Sequence, residues 1–398
     1  MLDQRITADR VLTMDPSLGE GPLGEIERGA IGVEAGRITW VGPASEAPAA
    51  REQIDGAGQV LLPALIDCHT HAIWAGSRSD EFARRLAGES YTSILESGGG
   101  ILSTVRATRA ASVETLVQTG AARLRLLAAR GVGTVEVKSG YGLSPERERV
   151  LLQAARAAGE AAGVRVVRTF LGAHAIPAEF RSDRAAYVDQ VVYEQLPLCA
   201  PEADGIDVYI DRGAFTLAEG ERILRAGAAR GLQIRVHAEQ VEHTGAAALA
   251  AELGALSADH LERIDAEGIA AMAAHGTVAV LLPGAMLYLR DVAPPVAALR
   301  EAGVEFAVAT DLNPGSSPVA DPWLCATLAC VTMGLTPIEA LRGLTVVAAR
   351  AVGRPELGVL RVGAPAEWIL ATPPPGERPT AAALVQSMGA VQVRVRPA

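Results

Sequence analysis

The run IDCHTHAIWAGSR, residues 66 to 78, sets two histidines two apart at the end of an apolar approach that opens with LLPAL. Side chains alternate along a strand, so Asp67, His69 and His71 share one face while Cys68 turns to the other as a small buried residue. Two imidazoles aimed at one point suggest metal chemistry, because neutral imidazole is a favoured ligand for borderline divalent ions. A hydrolytic centre needs about three or four ligands with one position left open. The pair could equally be two half-buried histidines at a strand end, so the rest of the chain has to supply the remaining ligands.

Other polar residues close apolar runs in the same way. Lys138, Ser139 and Tyr141 end the second run, His174 the third, His237 and then Gln240 the fifth, His260 the sixth, and Asp311 with Asn313 the eighth. Five of the seven histidines therefore end a strand, which random placement would not produce. His243 falls in the following loop and reads as solvated or turn-capping, and His275 lies at the wrong end of its run. His69, His71, His237 and Asp311 would hold one ion with three nitrogens and an oxygen, a set that suits Zn²⁺ or Fe²⁺. Two-ion barrels commonly add a carbamoylated lysine at the end of strand four. That run, IDVYIDRG, has none, and Lys138, the only lysine, belongs to strand two. A metal-activated water attacking a carbonyl would need a proton acceptor, Asp311 or His260, and a group facing the oxyanion, for which His260 is placed. The reaction class is hydrolysis of a C–N bond.

Those strand ends must be brought together by the fold. Beyond residue 60 the chain alternates eight short runs with helical segments: LLPALIDCHTH, TVEVKSGYG, VRVVRTFLGAH, IDVYIDRG, LQIRVHAEQ, LSADHLE, TVAVLLPG and VEFAVATDLNPG. In VETLVQTGAARLRLLAARG, Leu116, Leu124, Leu127 and Ala128 recur at helical spacing and Gly131 supplies the stop. Eight strand-helix units predict an α/β fold, a TIM-like (β/α)8 barrel over residues 61–353, with its site at the C-terminal strand ends. Residues 1–60 and 354–398 show short strand-like pieces between Gly, Pro and Asp turns, and predict a small β-sandwich-like domain built from both termini.

Composition limits what such a molecule does. Hydrophobic residues make up 49% and charged residues 21%, which suits a large packed core rather than disorder. The net charge of −10 disfavours phosphate backbones, so nucleic acid is not expected as a partner. Cys68, Cys199, Cys325 and Cys330 form no CxxC pair, and the charged start MLDQRITADR is unlike a secretion signal, which points to the cytoplasm. The weakly charged span from Gly268 is interrupted by His275, Gly276 and Pro283, so no membrane segment is expected.

The runs DCHTHAIWAGSR, GGGILSTVRATRAAS, VEVKSGYGLS, TFLGAHAIP, VHAEQ, ADHLE, VAVLLPGA and ATDLNPGSSP resemble those of the imidazolonepropionase family, amidohydrolase-superfamily enzymes of histidine degradation. The resemblance spans about residues 60 to 350. It implies a homodimer of barrel-plus-β-domain subunits in which water opens the ring of 4-imidazolone-5-propanoate at its amide bond, giving N-formimidoyl-L-glutamate. It also implies that Arg78 binds the substrate carboxylate, for which a planar two-donor fork is well shaped. Tyr141, His174, Asn313 and Gly315 resemble further substrate contacts, with Gly315 and Ser316 alternatively forming only the turn. The triplet at 98–100 lacks the Lys and Ser/Thr of a phosphate loop and reads as a flexible segment at the barrel mouth. Many family members carry Glu where Gln240 stands. An amide takes no proton, so Gln240 is expected to hydrogen-bond the ring. Strand four, reading VYID, departs from the Cys and Glu more usual there. Two other readings remain: another amidohydrolase-superfamily enzyme, such as a cyclic amidohydrolase or a nucleobase aminohydrolase, or a barrel that binds metal and a small acid without turnover. Arg78 argues against a nucleobase, which has no carboxylate to pair with it.

Overall fold

The computed structural model describes residues 1–89, 93 and 99–395. Gly98 of the glycine triplet lies outside them. The N-terminal pieces form β1 (Leu2–Leu12), β2 (Glu25–Glu34), β3 (Arg37–Pro43) and β4 (Ala50–Pro63). Ala35 and Gly36 both take positive φ, 49° and 75°, the geometry that a two-residue turn needs to join β2 to β3 with matching twist. Pro63 has no N–H to continue the ladder. The apolar run LLPALID is accordingly shared: Leu61, Leu62 and Pro63 finish β4, and β5 (Leu65–Asp67) begins a second sheet.

That second sheet is the expected barrel. After β5 come β6 (Val132–Lys138), β7 (Arg165–Ala173), β8 (Gly205–Ile210), β9 (Gln233–Ala238), β10 (Ser257–His260), β11 (Val278–Leu281) and β12 (Phe306–Val308). Each is hydrogen-bonded in parallel to the next in chain order. The circle closes just beyond the strand ends, where the Asp311 N–H donates to His69 O and the His71 N–H to Leu312 O, each at 3.0 Å. Asp67 strengthens this seam by accepting from the Thr310 N–H at 3.1 Å and its hydroxyl at 2.6 Å. Outside the strands, the helix Val113–Ala129 buries Leu116, Leu124 and Leu127, the residues whose period predicts it, and its N-terminus is capped by Ser112. Ala128 of the same series is half-buried. Cys68 is buried on the far side of β5 with Ile66, Val280 and Val347.

The C-terminal residues add β13 (Trp368–Thr372) and β14 (Gln392–Val395) to the first sheet, in the order β14-β13-β4-β1-β2-β3. The terminal domain thus draws on both chain ends as expected, with its hydrogen bonds running through one continuous sheet. A short helix, Ala381–Val385, interrupts the all-β texture expected there. The sheet has its own core of Ile6, Ile31, Ile38, Leu61, Trp368 and Leu370. Leu370→Ala should therefore cost about 2–5 kcal/mol of stability. A lower urea midpoint with unchanged turnover by the folded protein checks that this sheet supports the barrel without entering the site. Among the described residues no helix is long and apolar enough to cross a membrane.

Candidate metal centre

The two strand-one histidines converge because the chain leaving β5 stays extended along the barrel rim, pinned by the seam to the segment after β12. Possible ligand atoms of His69, His71 and His237 lie within 4.8 Å of one another, and all three side chains are buried. Asp311 lies beside this group, its Oδ1 3.5 Å from His69 Nε2 and 3.6 Å from His71 Nε2. Its φ of 52° places this carboxylate where an ordinary strand residue would not point.

Carboxylates below the ring fix two of the imidazoles. His69 Nδ1 lies 2.6 Å from Asp259 Oδ2, and His237 Nδ1 lies 3.0 Å from both oxygens of Asp207. A carboxylate can only accept, so each Nδ1 carries the proton and each Nε2 presents a lone pair to the centre. His69 Nε2 is buried without a hydrogen-bond partner. His237 Nε2 faces His71 Nε2 at 3.4 Å. Burial pushes the His69, His71 and His237 pKa values down, which favours neutral rings over cations. Three neutral nitrogens, one of them with an orphaned buried lone pair, and one carboxylate are a donor set that a divalent ion satisfies. Burial pushes the Asp311 carboxyl up to about 7, a cost that a cation beside it would remove.

Lys138 lies in the floor of this site and is completely buried. Burial opposes its charge, but Asp207, Glu136 and Asp259 outweigh that and hold the ammonium firmly protonated. No lysine closes β8.

The rim carries the other candidates. His174 stacks on His71 with centroids 4.9 Å apart and 12° between the planes. Its Nδ1 lies 3.1 Å from Gly140 O and so carries the proton, while burial holds its pKa down at about 3. The Tyr141 ring lies 5.9 Å from His71 and 5.5 Å from His174. Burial and the nearby Asp311 raise its pKa and keep the phenol protonated. Its loop is held by Glu148, whose buried carboxylate accepts from the Gly140, Gly142 and Leu143 N–H groups. His260 stands 5.4 Å from His237 and 5.9 Å from His69 between ring centroids. Burial opposes its charge, but Glu262, Asp311 and Asp259 raise its pKa above the ordinary histidine value. Gln240 accepts from the Tyr209 hydroxyl at 2.9 Å, which leaves its NH₂ to donate. The neighbouring Glu239 turns away, accepting from the Gly245 N–H at 2.8 Å.

Arg78 reaches the same rim from the loop before the helix Ser79–Leu86. It pairs with Glu81 at 2.7 Å and lies so close to Gly315 that a Cβ there would sit 2.9 Å from its Nη1. Glu81 also accepts from the Gly100 N–H at 3.2 Å. Asn313 spends its polar atoms within its own loop: its Oδ1 accepts from the Gly315 and Ser316 N–H groups, and its amide donates to Asp311 O and Ser316 Oγ. Asn313 and Ser316 thus build the turn that carries Gly315 against Arg78. His243 is about half exposed beside Glu239 and Asp265, and His275 is exposed at a helix end, so neither joins the centre.

A family model described as the amidohydrolase family matches residues 60–394. The imidazolonepropionase of Maricaulis maris strain MCS10 is 49% identical over 370 residues, covering 92% of each chain. That of Polaromonas sp. strain JS666 is 50% identical over 358 residues, 88% of this chain and 84% of the relative. Among solved structures, a zinc-bound adenosine deaminase from Xanthomonas campestris superposes with a TM-score of 0.72 at 19% identity, covering 99% of this chain and 92% of its own. A triazine hydrolase variant gives 0.74 at 19% identity, covering 97% and 91%. At that identity, these two bear on the fold alone.

Proposed function

Because the chain belongs to the amidohydrolase family, and within it to the imidazolonepropionases, we propose that its strand-end centre opens the ring of 4-imidazolone-5-propanoate with water. The reaction belongs to histidine degradation. Water adds to the ring carbonyl, the amide C–N bond breaks, and the departing nitrogen takes a proton, leaving N-formimidoyl-L-glutamate. The observation that carries the reading is the convergence of His69, His71, His237 and Asp311 below a rim that holds Arg78.

One divalent ion, Zn²⁺ or Fe²⁺, would be held by those four side chains and would supply the positive charge that lets water ionise near neutral pH. The remaining roles belong to the chain itself. Asp311 or His260 receives the proton of the attacking water and returns it to the leaving nitrogen. His260, its pKa raised by its acidic surroundings, faces the oxyanion. Gln240, its carbonyl occupied by Tyr209, donates its NH₂ to the ring. Tyr141 donates a hydrogen bond from its phenol to the substrate, and the unprotonated Nε2 of His174 accepts one from a ring N–H. Arg78 exchanges Glu81 for the propanoate carboxylate, with Gly315 leaving the space for the guanidinium. Asn313 and Ser316 act through their turn.

Four free cysteines, three of them buried, support a reducing cytoplasmic location, and the homodimer follows the resemblance. Turnover of freshly generated 4-imidazolone-5-propanoate tests the whole reading; no rate with metal restored would end it. Arg78→Ala should raise KM about 10- to 100-fold with metal content unchanged, since a charged hydrogen-bonded pair contributes roughly 1.5–3 kcal/mol. A KM within twofold of the parent would remove Arg78 from the substrate site.

A further inference from the structure

The interior of a barrel is filled by layers of side chains from alternate strands, ordinarily bulky and apolar. Here one layer is ionic. Lys138 on β6 reaches Asp207 on β8, with Nζ 2.8 Å from Oδ2, and approaches Asp259 on β10 at 3.6 Å. Its third neighbour is Glu136, two residues back on its own strand and face, at 3.0 Å. An ammonium has three N–H donors, and three carboxylates surround this one. All four side chains are fully buried. Simple neutralisation of one buried charge needs one partner, and a salt-bridged interior is in any case a poor source of stability. What distinguishes this arrangement is where two of the carboxylates point next. Asp259 Oδ2 lies 2.6 Å from His69 Nδ1, and Asp207 lies 3.0 Å from His237 Nδ1. The same two oxygens, Asp259 Oδ2 and Asp207 Oδ2, face both the lysine and an imidazole.

We propose that Lys138 is a positioning residue for the metal centre: its ammonium fixes Asp207 and Asp259, which hold His69 and His237 in the tautomer and rotation that aim Nε2 at the ion. This rests on reading the four-residue group above it as a metal site. Without the ammonium, two neighbouring anions lose their common counter-ion and are free to turn apart. That movement releases the imidazoles from the orientation that ligation needs.

Because Lys138 is the chain's only lysine, it can be watched directly. Protein labelled with [¹⁵Nζ]lysine has a single side-chain ammonium resonance. Adding Zn²⁺ to the metal-free protein should shift that resonance; an unmoved signal with Zn²⁺ demonstrably bound overturns the proposal. Lys138→Met, similar in length and uncharged, should bind Zn²⁺ about 10- to 100-fold more weakly in competition with a chelator. The loss should be less than additive with that of Asp259→Asn, because both changes break the same chain of contacts. Equal affinity, or losses that simply add, overturns it. Should Lys138→Met fail to fold, the ammonium resonance of the parent decides alone. A parent protein that binds no divalent ion would overturn both this proposal and the metal-site reading, whereas normal binding by Lys138→Met overturns this proposal only.

Discussion

Asp311→Asn, assayed with metal restored to saturation, should reduce kcat by roughly 10²–10⁴-fold, the range expected when a positioned proton acceptor is removed. The substitution keeps the volume and one carbonyl oxygen at the ligand position but takes away the group that can hold a proton. The geometry makes it informative. Asp311 Oδ1 sits between His69 Nε2 and His71 Nε2, so the variant should also bind the ion less tightly, and metal content must be measured beside the rate. A variant that is fully loaded and retains more than a tenth of the parent kcat would assign the proton to another group, with His260 next in line.

His260→Ala should lower kcat by about 10²–10³-fold, the cost of removing one oxyanion donor, with its metal content intact. His260 lies above the rings of His69 and His237, its Nδ1 3.9 Å from Glu262, too far for a hydrogen bond. Nothing in its position requires it to grip the ion. Metal loss on elemental analysis would make it a ligand after all. A lower kcat with KM little changed would place its contribution in the transition state.

The proposed ligands are legible in the sequence because histidine is scarce in this chain and because strand alternation converts a spacing of two into a shared face. Asp311 stood out as the polar end of an apolar run. The supporting carboxylates did not. Asp207 and Asp259 lie within strands, and their partners are visible only in the fold: Asp207 meets His237 on the adjacent β9, and Asp259 meets His69 and Lys138 from non-adjacent parts of the barrel. The missed signal was Lys138 itself, a single lysine in an apolar strand, which needs buried acids somewhere nearby. Gln240 is expected to hydrogen-bond the ring because an amide takes no proton, but its orientation depends on Tyr209, a contact from β8 to the residues beyond β9 that spacing does not reveal. Asn313 and Ser316 could be read from the sequence only through the resemblance, which left substrate contact and turn formation open for Ser316; their hydrogen bonds in the structure are satisfied locally in a turn. In the fold, the eight barrel strands followed from their rhythm with helices. The full length of β4 did not, because REQIDGAG carries charges and glycines that only pairing with β1 makes strand-like.

The seam between the start and the end of the barrel has a thermodynamic consequence. His69 and His71 stand on one lip and Asp311 on the other, and the two lips are separated by most of the barrel's sequence. Bringing them together is the most expensive loop closure of that domain. An ion gripped by both lips would work as a clasp, and part of its affinity would appear as resistance to unfolding.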